Sequence, residues 1–389
     1  MISPPAVVAI LGDGQLGRML AQEGKRLGYT MWAVGSDREG PSAQVVDRHI
    51  CLALDDAAAV AQAVAEADVV TFETEHVPSE TLKAVMARAK ILPNPEILLT
   101  LQDRLTQKLL LQRLGLPVAT FCEVSSLEQL QAASSVVGLP FIFKTRRGGY
   151  DGRGQILVTD TDQLQPGAQA FMRWHELGQP PGVAEAFVAF AAEISIILAR
   201  NEQGEVKVFP LAQNVHSRHV LRTTRAPAAV SPEVAKAAFN LANKLAGALN
   251  YVGVMALETF LLPDGELLIN EIAPRVHNSG HYTWGGSATS QFEQHLRAIL
   301  GQALGDTTTP RPVVMGNLLG DLWAAGPPPF ERLIQDEAIN LVLYGKAEAR
   351  PGRKMGHFLV LDDDGARALV RGEKVLNLLE QWAAPPPAV

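Results

Sequence analysis

Val252–Leu262 reads V-G-V-M-A-L-E-T-F-L-L, Pro263–Glu266 reads P-D-G-E, and Leu267–Ala273 reads L-L-I-N-E-I-A. Asp-Gly between two apolar runs is a strong short-range signal for a β-hairpin. With Asp264 and Gly265 as the two loop residues, Pro263 pairs with Glu266. Counting outward along both strands then sets Glu258 directly opposite Glu271. Two carboxylates so placed repel each other, and among apolar neighbours each also carries a desolvation cost. A hard cation such as magnesium removes both penalties, because it takes oxygen ligands and bridges carboxylates to substrate phosphates. The plainer reading puts both side chains on a wet face of the sheet. The apolar residues around the pair favour the metal, so Glu258 and Glu271 are expected to hold Mg2+.

Working outward toward the amino terminus, residues 6–92 alternate strand and helix patterns. Ala6–Leu11, Thr30–Val34 and Val69–Phe72 are apolar strand runs. Leu16–Leu27, Ala57–Ala65 and Ser79–Ala89 have helical periodicity, the last with Ser79 as its cap. This alternation implies a parallel sheet. Leu92-Pro93-Asn94-Pro95 marks a boundary. Beyond it, Gln102–Leu114 reads as a helix carrying Arg104, Lys108 and Arg113. Leu139–Lys144 reads as a strand ending in lysine, with Gln155–Val158, Val183–Val188 and Glu193–Ala199 as further strands. Ser231–Leu249 is a long helix, with Ser231 as cap and Pro232 at its first position. After Thr307–Pro312 come a small unit of short strands and a proline-rich tail expected to be disordered. The pattern as a whole is α/β.

Gly12-Asp13-Gly14-Gln15-Leu16-Gly17 fits G-x-G-x-x-G after a strand and at the opening of a helix, with Asp37 about 20 residues on, as in dinucleotide sites. Its glycines and the helix amino terminus suit any phosphate, a ribose phosphate included. A ligand-free strand–helix turn is the plainer alternative. The stretch Lys144–Gln155 is more telling. A lysine ends one strand, and a loop with glycines and Arg146, Arg147 and Arg153 precedes the next. Backbone N–H groups and basic side chains there suit a polyphosphate, although the Gly-Lys-Ser/Thr of a Walker loop is missing. A third run, Asn270–His281, leads from the glutamate strand into a polar loop and sets Arg275 and His277 beside the metal. His277 and His281 have helical zinc spacing, but Asn-Ser-Gly between them opposes a helix and no third ligand stands out. Glu73 and Glu75 sit at the carboxyl end of a parallel strand, where ligands bind. Lys346, Arg353, Lys354 and His357 form a basic C-terminal cluster, which a charged surface hairpin would also explain.

Composition narrows the classes. The 389 residues allow two or three domains, and 47% are hydrophobic. A formal net charge of −7 argues against general nucleic-acid binding. The two cysteines, Cys51 and Cys122, lie far apart and read as buried small hydrophobes. No apolar run reaches the ~20 residues that span a bilayer, and the first ten residues lack the marks of a signal peptide. A cytoplasmic protein without a membrane partner is expected.

Taken together, these stretches resemble the ATP-grasp superfamily, and within it the 5-(carboxyamino)imidazole ribonucleotide synthases of purine biosynthesis. The matching segments are Gly12–Met19, Thr71–Val77, Asp103–Lys108, Phe143–Gln155, Asn270–Thr283 and Tyr344–His357, in family order across nearly the whole chain. Departures are Asp13 for glycine, Val276 for proline, and T-F-E-T-E-H-V at Thr71–Val77 in place of T-Y-E-F-E-N-V. The resemblance implies an ATP-grasp fold with a Rossmann-like substrate domain at 1–97, a two-lobed ATP-grasp domain at 98–306 with its lid near 145–155, and a small C-terminal domain at 307–389. It also implies a homodimer.

For the nucleotide, the resemblance implies that Arg104 and Lys144 contact ATP phosphates. Gly149, Tyr150, Asp151, Gly152, Arg153, Gly154 and Gln155 form the lid. Glu185, Ala186, Phe187 and Val188 make the hinge beside adenine, Glu193 and His216 complete the pocket, and Asn270 adjoins the Glu258–Glu271 metal pair. For the ribonucleotide it implies Gln15, Leu16, Glu73, Tyr150, Asp151, Arg153, Arg275, His277, Lys346 and Arg353. The implied reaction joins 5-aminoimidazole ribonucleotide, bicarbonate and ATP through carboxyphosphate. Arg275 and His277 would hold that intermediate, and Asp151 or His277 would accept the amine's proton. Three rivals remain at this stage: another ATP-grasp ligase such as formate-dependent glycinamide ribonucleotide transformylase, an NAD-dependent oxidoreductase, and a non-catalytic nucleotide-binding module.

Overall fold

The structure, a computed structural model, describes residues 1–149, 154–160, 169 and 182–384. Among them the strands form three sheets. The first is parallel, in the order β3-β2-β1-β4, with β1 (Val7–Leu11), β2 (Thr30–Gly35), β3 (Arg48–Cys51) and β4 (Val69–Phe72). β1 and β4 are covered on both faces, so they read as unbroken apolar runs. β3 escapes that signal because R-H-I-C is polar and half exposed. Helices α1 (Gln15–Arg26), α2 (Ala57–Ala63) and α3 (Ser79–Met86) lie between the strands. Ser79 is not the cap of α3. It is the first helical residue, and Pro78 holds the cap position in extended backbone.

The helix expected over Gln102–Leu114 forms from Arg104, and a further short helix precedes it. Asn94 caps α4 (Pro95–Leu101), and the Asp103 carboxylate accepts the N–H groups of Leu105 and Thr106 to start α5 (Arg104–Arg113). A second sheet, antiparallel in the order β5-β8-β6-β7, contains β5 (Phe121–Val124), β6 (Phe141–Thr145), β7 (Gln155–Val158) and β8 (Gly182–Ala186). Helix α6 (Leu127–Val137) covers it and closes a small separate core.

The third sheet carries the hairpin. It includes β9 (Ala192–Arg200), β10 (Val206–Val208), β11 (Ala212–Ser217), β12 (Val220–Ala226), β13 (Gly253–Leu261), β14 (Leu267–Ala273), β15 (Val313–Leu319), β16 (Ile339–Leu343) and β17 (Lys354–Leu361). The order is β14-β13-β9-β11-β12-β15-β17-β16, with β10 also on β9. The C-terminal strands thus continue the same sheet, through antiparallel pairing of β12 with β15. Helix α7 (Pro232–Ala248), capped by Ser231 as expected, and α8 (Gln291–Ile299) pack near β9, and α9 (Gly365–Ala383) lies on β15 and β17. The end of the proline-rich tail, 385–389, lies outside the described residues.

Both cysteines are free, and Cys51 is exposed rather than buried because it ends the half-exposed edge strand β3. No described helix is long and apolar enough to cross a membrane.

Candidate active site

Glu258 does pair with Glu271, but by a different count. The turn is one residue longer than expected. Leu262 N–H donates to the Glu266 carbonyl at 2.8 Å, so Pro263, Asp264 and Gly265 form the loop. Leu261 then faces Leu267 and Thr259 faces Ile269, and Asn270 is left over as a bulge before Glu258 meets Glu271. The bulge has a chemical result, since an inserted residue re-aims its side chain. Asn270 and Glu271 both line one cleft, while Ile269 and Ile272 pack into the core on the other side of β14.

Glu258 is the more enclosed carboxylate, with 17% of its side chain exposed against 46% for Glu271. Burial, then the charge of Glu271, pushes the Glu258 carboxyl up to about 7. The Ser195 hydroxyl donates to Glu258 Oε1 at 2.9 Å. Burial, backed by the charges of Arg275 and Lys354, keeps the His277 imidazole well below its ordinary range, so its 3.5 Å approach to Glu258 is between neutral and acidic groups, not an ion pair. Instead His277 Nδ1 accepts from the Ser279 N–H at 3.3 Å, and its backbone N–H donates to Gln291 Oε1 at 2.9 Å.

Next to the carboxylates lies a cluster of cations. Arg104 forms a forked pair with Glu185, its Nη2 reaching Oε2 at 3.1 Å and Asn270 Oδ1 at 2.9 Å. Lys144 Nζ lies 3.5 Å from Glu185 Oε2 and 3.4 Å from Asn270 Oδ1. Burial, then the charge of Arg104, pushes the Lys144 ammonium down to about 7. Arg146, on the loop after β6, is anchored on Asp103 at 2.8 Å. Glu185, Ala186, Phe187 and Val188 line a smaller pocket with Phe190 and Phe260, whose rings stack 4.7 Å apart, and it shares Lys144 and Asn270 with the cleft. That slot is mainly apolar, and Lys108 and Lys144 are among its lining residues.

The main cleft, of about 1380 Å³, gathers Gln15, Leu16, Arg104, Lys144, Gly149, Gly154, Gln155, Glu193, His216, Glu258, Asn270, Glu271, Arg275 and His277. His216 Nδ1 meets Glu193 Oε2 at 2.5 Å. Burial would lower the His216 pKa, but this bond and the acidic charges outweigh it and raise it. Arg275 Nη2 pairs with Glu75 Oε1 at 3.0 Å, which ties the first sheet's loop to the cleft. Tyr150, Asp151, Gly152 and Arg153 lie outside the described residues.

The glycine loop turns out differently from the phosphate reading. Glu73 is buried and fills the loop, accepting from the N–H of Gly14 at 3.0 Å and of Gly17 at 3.1 Å. A Cβ on Gly12 would stand 2.5 Å from Glu73 Cγ. The glycines therefore admit an internal carboxylate to the start of α1, where a dinucleotide fold would seat pyrophosphate. The Asp37 carboxylate turns onto its own loop, Oδ1 accepting the Glu39 N–H at 3.1 Å. These contacts remove the basis of the NAD reading. Lys346 and Arg353 do not line the cleft. Lys346 Nζ donates to the Lys354 carbonyl at 2.7 Å, close enough to Arg353 and Glu73 to feel their charges.

Comparison with known proteins agrees with this geometry along the chain. Residues 6–102 match the ribonucleotide synthetase preATP-grasp domain, 109–292 the ATP-grasp domain, and 313–371 the phosphoribosylaminoimidazole carboxylase C-terminal domain. The N5-carboxyaminoimidazole ribonucleotide synthase of Brucella melitensis is 43% identical over 356 residues, covering 92% of this chain and 96% of the relative. That of Bacillus subtilis is 39% identical over 362 residues, covering 92% of each. This chain belongs to the N5-carboxyaminoimidazole ribonucleotide synthase family. Solved structures of the family superpose closely. The Thermus thermophilus synthetase gives a TM-score of 0.86 at 38% identity, covering 98% of this chain and 100% of that one. The Aspergillus clavatus synthase, solved with ADP and 5-aminoimidazole ribonucleotide, gives 0.87 at 31%, covering 97% and 99%.

Within this synthase fold, sequence reading passed over several groups. Lys108, one turn beyond Arg104 on α5, is fully buried at the cation cluster; its i, i+4 spacing from Arg104 was the available signal. Ser195 and Asn214 join the Glu258 network, Asn214 Nδ2 donating to Ser195 Oγ at 2.6 Å, and neither stands in a recognisable motif. Asn278 lines the cleft, and its amide atoms, with Arg275 Nε, are buried without a protein partner among the described residues.

Proposed function

We propose that this chain carries out the ATP- and bicarbonate-dependent carboxylation of 5-aminoimidazole ribonucleotide to its N5-carboxy form, giving ADP and phosphate, in purine biosynthesis. The observation that carries the reading is one cleft holding a paired Glu258–Glu271, the Arg104–Lys144 cations and the Arg275–His277 loop. The mainly apolar pocket at Glu185–Val188 suits adenine, with its triphosphate running toward Lys144 and Arg104. The donor set fits a hard divalent cation: two carboxylates face each other, and burial, then their mutual repulsion, already raises one of them. Mg2+ held there by Glu258 and Glu271 would neutralise phosphate charge.

The protein's own groups supply position and charge. Bicarbonate is too stable to meet a weak aromatic amine, so phosphorylation makes carboxyphosphate, which releases carbon dioxide beside the amine. Lys144 and Arg104 stabilise charge gathering on the transferred phosphoryl group. Arg275 Nε and the Asn278 amide are buried donors with unused capacity, suited to an anionic intermediate beside His277. Because His277 Nδ1 accepts the Ser279 N–H, the neutral ring carries its hydrogen on Nε2, where it donates a hydrogen bond and has no free nitrogen to take a proton. That favours Asp151 as the acceptor. The glycine-rich loop at Gly149–Gln155 covers the phosphates and excludes water. Gln15, Leu16, Tyr150 and Arg153 bind the ribonucleotide, with Glu73, Lys346 and Arg353 grouped at its margin outside the cleft's lining. The division at 1–97, 98–306 and 307–389, the homodimer and a cytoplasmic location complete the reading. Phosphate release measured with each of the three substrates omitted in turn tests it. Full release is expected only with all three present. Stimulation by glycinamide ribonucleotide and formate instead would overturn it.

A further inference from the structure

The buried carboxylate of Glu185 is shared by three cations. Arg104 grips it with a fork, Lys108 Nζ lies 3.2 Å from Oε2, and Lys144 Nζ lies 3.5 Å from the same oxygen. Glu185 is 4% exposed and Lys108 0%. Arg104 and Lys144 line the cleft where phosphates would lie, but Lys108 does not; it borders only the smaller pocket. The other polar contact of its ammonium is the Ile269 carbonyl, at 3.4 Å. The three cations are thus not equivalent: two can swing their charge toward a ligand, and one is walled in.

This asymmetry bears on how the site accepts a polyanion. Arg104 and Lys144 cannot serve phosphates fully while they also neutralise Glu185. If they leave it, Glu185 becomes a buried carboxylate needing another counter-charge. We propose that Lys108 is a positioning residue that retains Glu185 while Arg104 and Lys144 transfer their charge to the phosphates of ATP. Lys108 borders the adenine slot but lies outside the cleft proposed for the phosphates and the reacting atoms. It acts by lowering the hold of Glu185 on its two neighbours. The inference rests on the nucleotide site proposed above.

The test is direct binding, read apart from turnover. ATP and adenosine are titrated calorimetrically into wild type, Lys108→Met, Glu185→Gln and the double variant. Lys108→Met should weaken ATP binding roughly tenfold or more, the scale of one charged interaction, and leave adenosine affinity within about twofold, well below that scale. Adding Glu185→Gln should restore ATP affinity, because no carboxylate is left to compete. Because Glu185 borders the adenine slot, each variant is read as its ATP affinity relative to its adenosine affinity. Glu185→Gln alone, which keeps all three cations, should raise that ratio above wild type, and it decides the matter if Lys108→Met does not fold. Equal weakening for ATP and adenosine in Lys108→Met, no recovery of the ratio in the double variant, or a lower ratio in Glu185→Gln would overturn the proposal. Failure of wild type to release phosphate with all substrates present would instead remove the parent reading, and the titrations would still report on Lys108.

Discussion

At the scale of single residues, two groups set the outcome. Glu271 is half exposed and lines the cleft, whereas Glu258 is enclosed and its carboxyl is raised by burial, then by its partner's charge. Glu271→Gln should therefore abolish ATP turnover and leave thermal unfolding within experimental error of wild type. Wild-type-like phosphate release by that variant would remove the metal assignment. Lys144→Met should cost about 3 kcal/mol of transition-state stabilisation, a typical figure for losing one preorganised electrostatic donor. The check is kcat/KM for ATP, and a loss below about threefold, far short of that figure, would count against its role. Most of these side chains were legible because their types are chemically unusual in apolar strands. Glu73 was legible as a carboxylate at the end of a parallel strand, but its contacts were not. Nothing local says that its carboxylate turns back into the glycine loop, since that depends on how β4 lies beside β1.

At the scale of elements, the hairpin shows how a correct pairing can follow from an incorrect count. The three-residue loop moves the register by one, and the Asn270 bulge moves it back. Strand periodicity cannot reveal a bulge, because the extra residue appears only as a step in the alternation of L-L-I-N-E-I-A. Deleting Asn270 should leave Glu271 on the cleft side opposite Glu258, because the alternation from Ile269 then runs without a step. A folded deletion variant loses only the Asn270 amide between Arg104 and Lys144, so weakened rather than abolished ATP binding is the expected result; unchanged binding would mean the bulge is incidental. The glycine loop offers a second case. Gly12 has φ +119° and no room for a Cβ beside Glu73. Gly12→Ala should thus destabilise by more than about 1 kcal/mol in urea unfolding, the usual scale of alanine where φ is positive. A neutral result would show that Glu73 is not packed as described.

At the scale of the whole molecule, buried histidines stitch the sheets together. His295 on α8 meets Thr71 Oγ1 of β4 at 2.8 Å and accepts the Val254 N–H of β13 at 3.1 Å. His357 of β17 bonds the Tyr344 hydroxyl at 2.8 Å, and its ring lies 5.0 Å from that of His281. Burial pushes both His295 and His357 down to about 3 from an ordinary 6.5. The unfolded chain takes up their protons near pH 6.5, whereas the folded chain does so only near 3. Their stabilisation is therefore present above 6.5 and is lost as pH falls toward 3, at about 1.4 kcal/mol per pH unit for each imidazole. Urea midpoints between pH 7.5 and 5 should fall accordingly, and His295→Gln should flatten the slope by close to one proton's worth. An unchanged slope would mean that His295 titrates normally when folded. The parallel sheet and the order of the parts were readable from pattern. The continuity between the hairpin's sheet and the C-terminal strands was not, because non-local pairing of β12 with β15 leaves no trace in either strand alone. That continuity limits how the chain can be rearranged. A cut before Val313 would sever a ladder of backbone bonds and bare the flank of β12, inviting other copies to dock there. Chimeras that exchange the part from Val313 onward should fail by clumping unless the donor brings a strand of matching register.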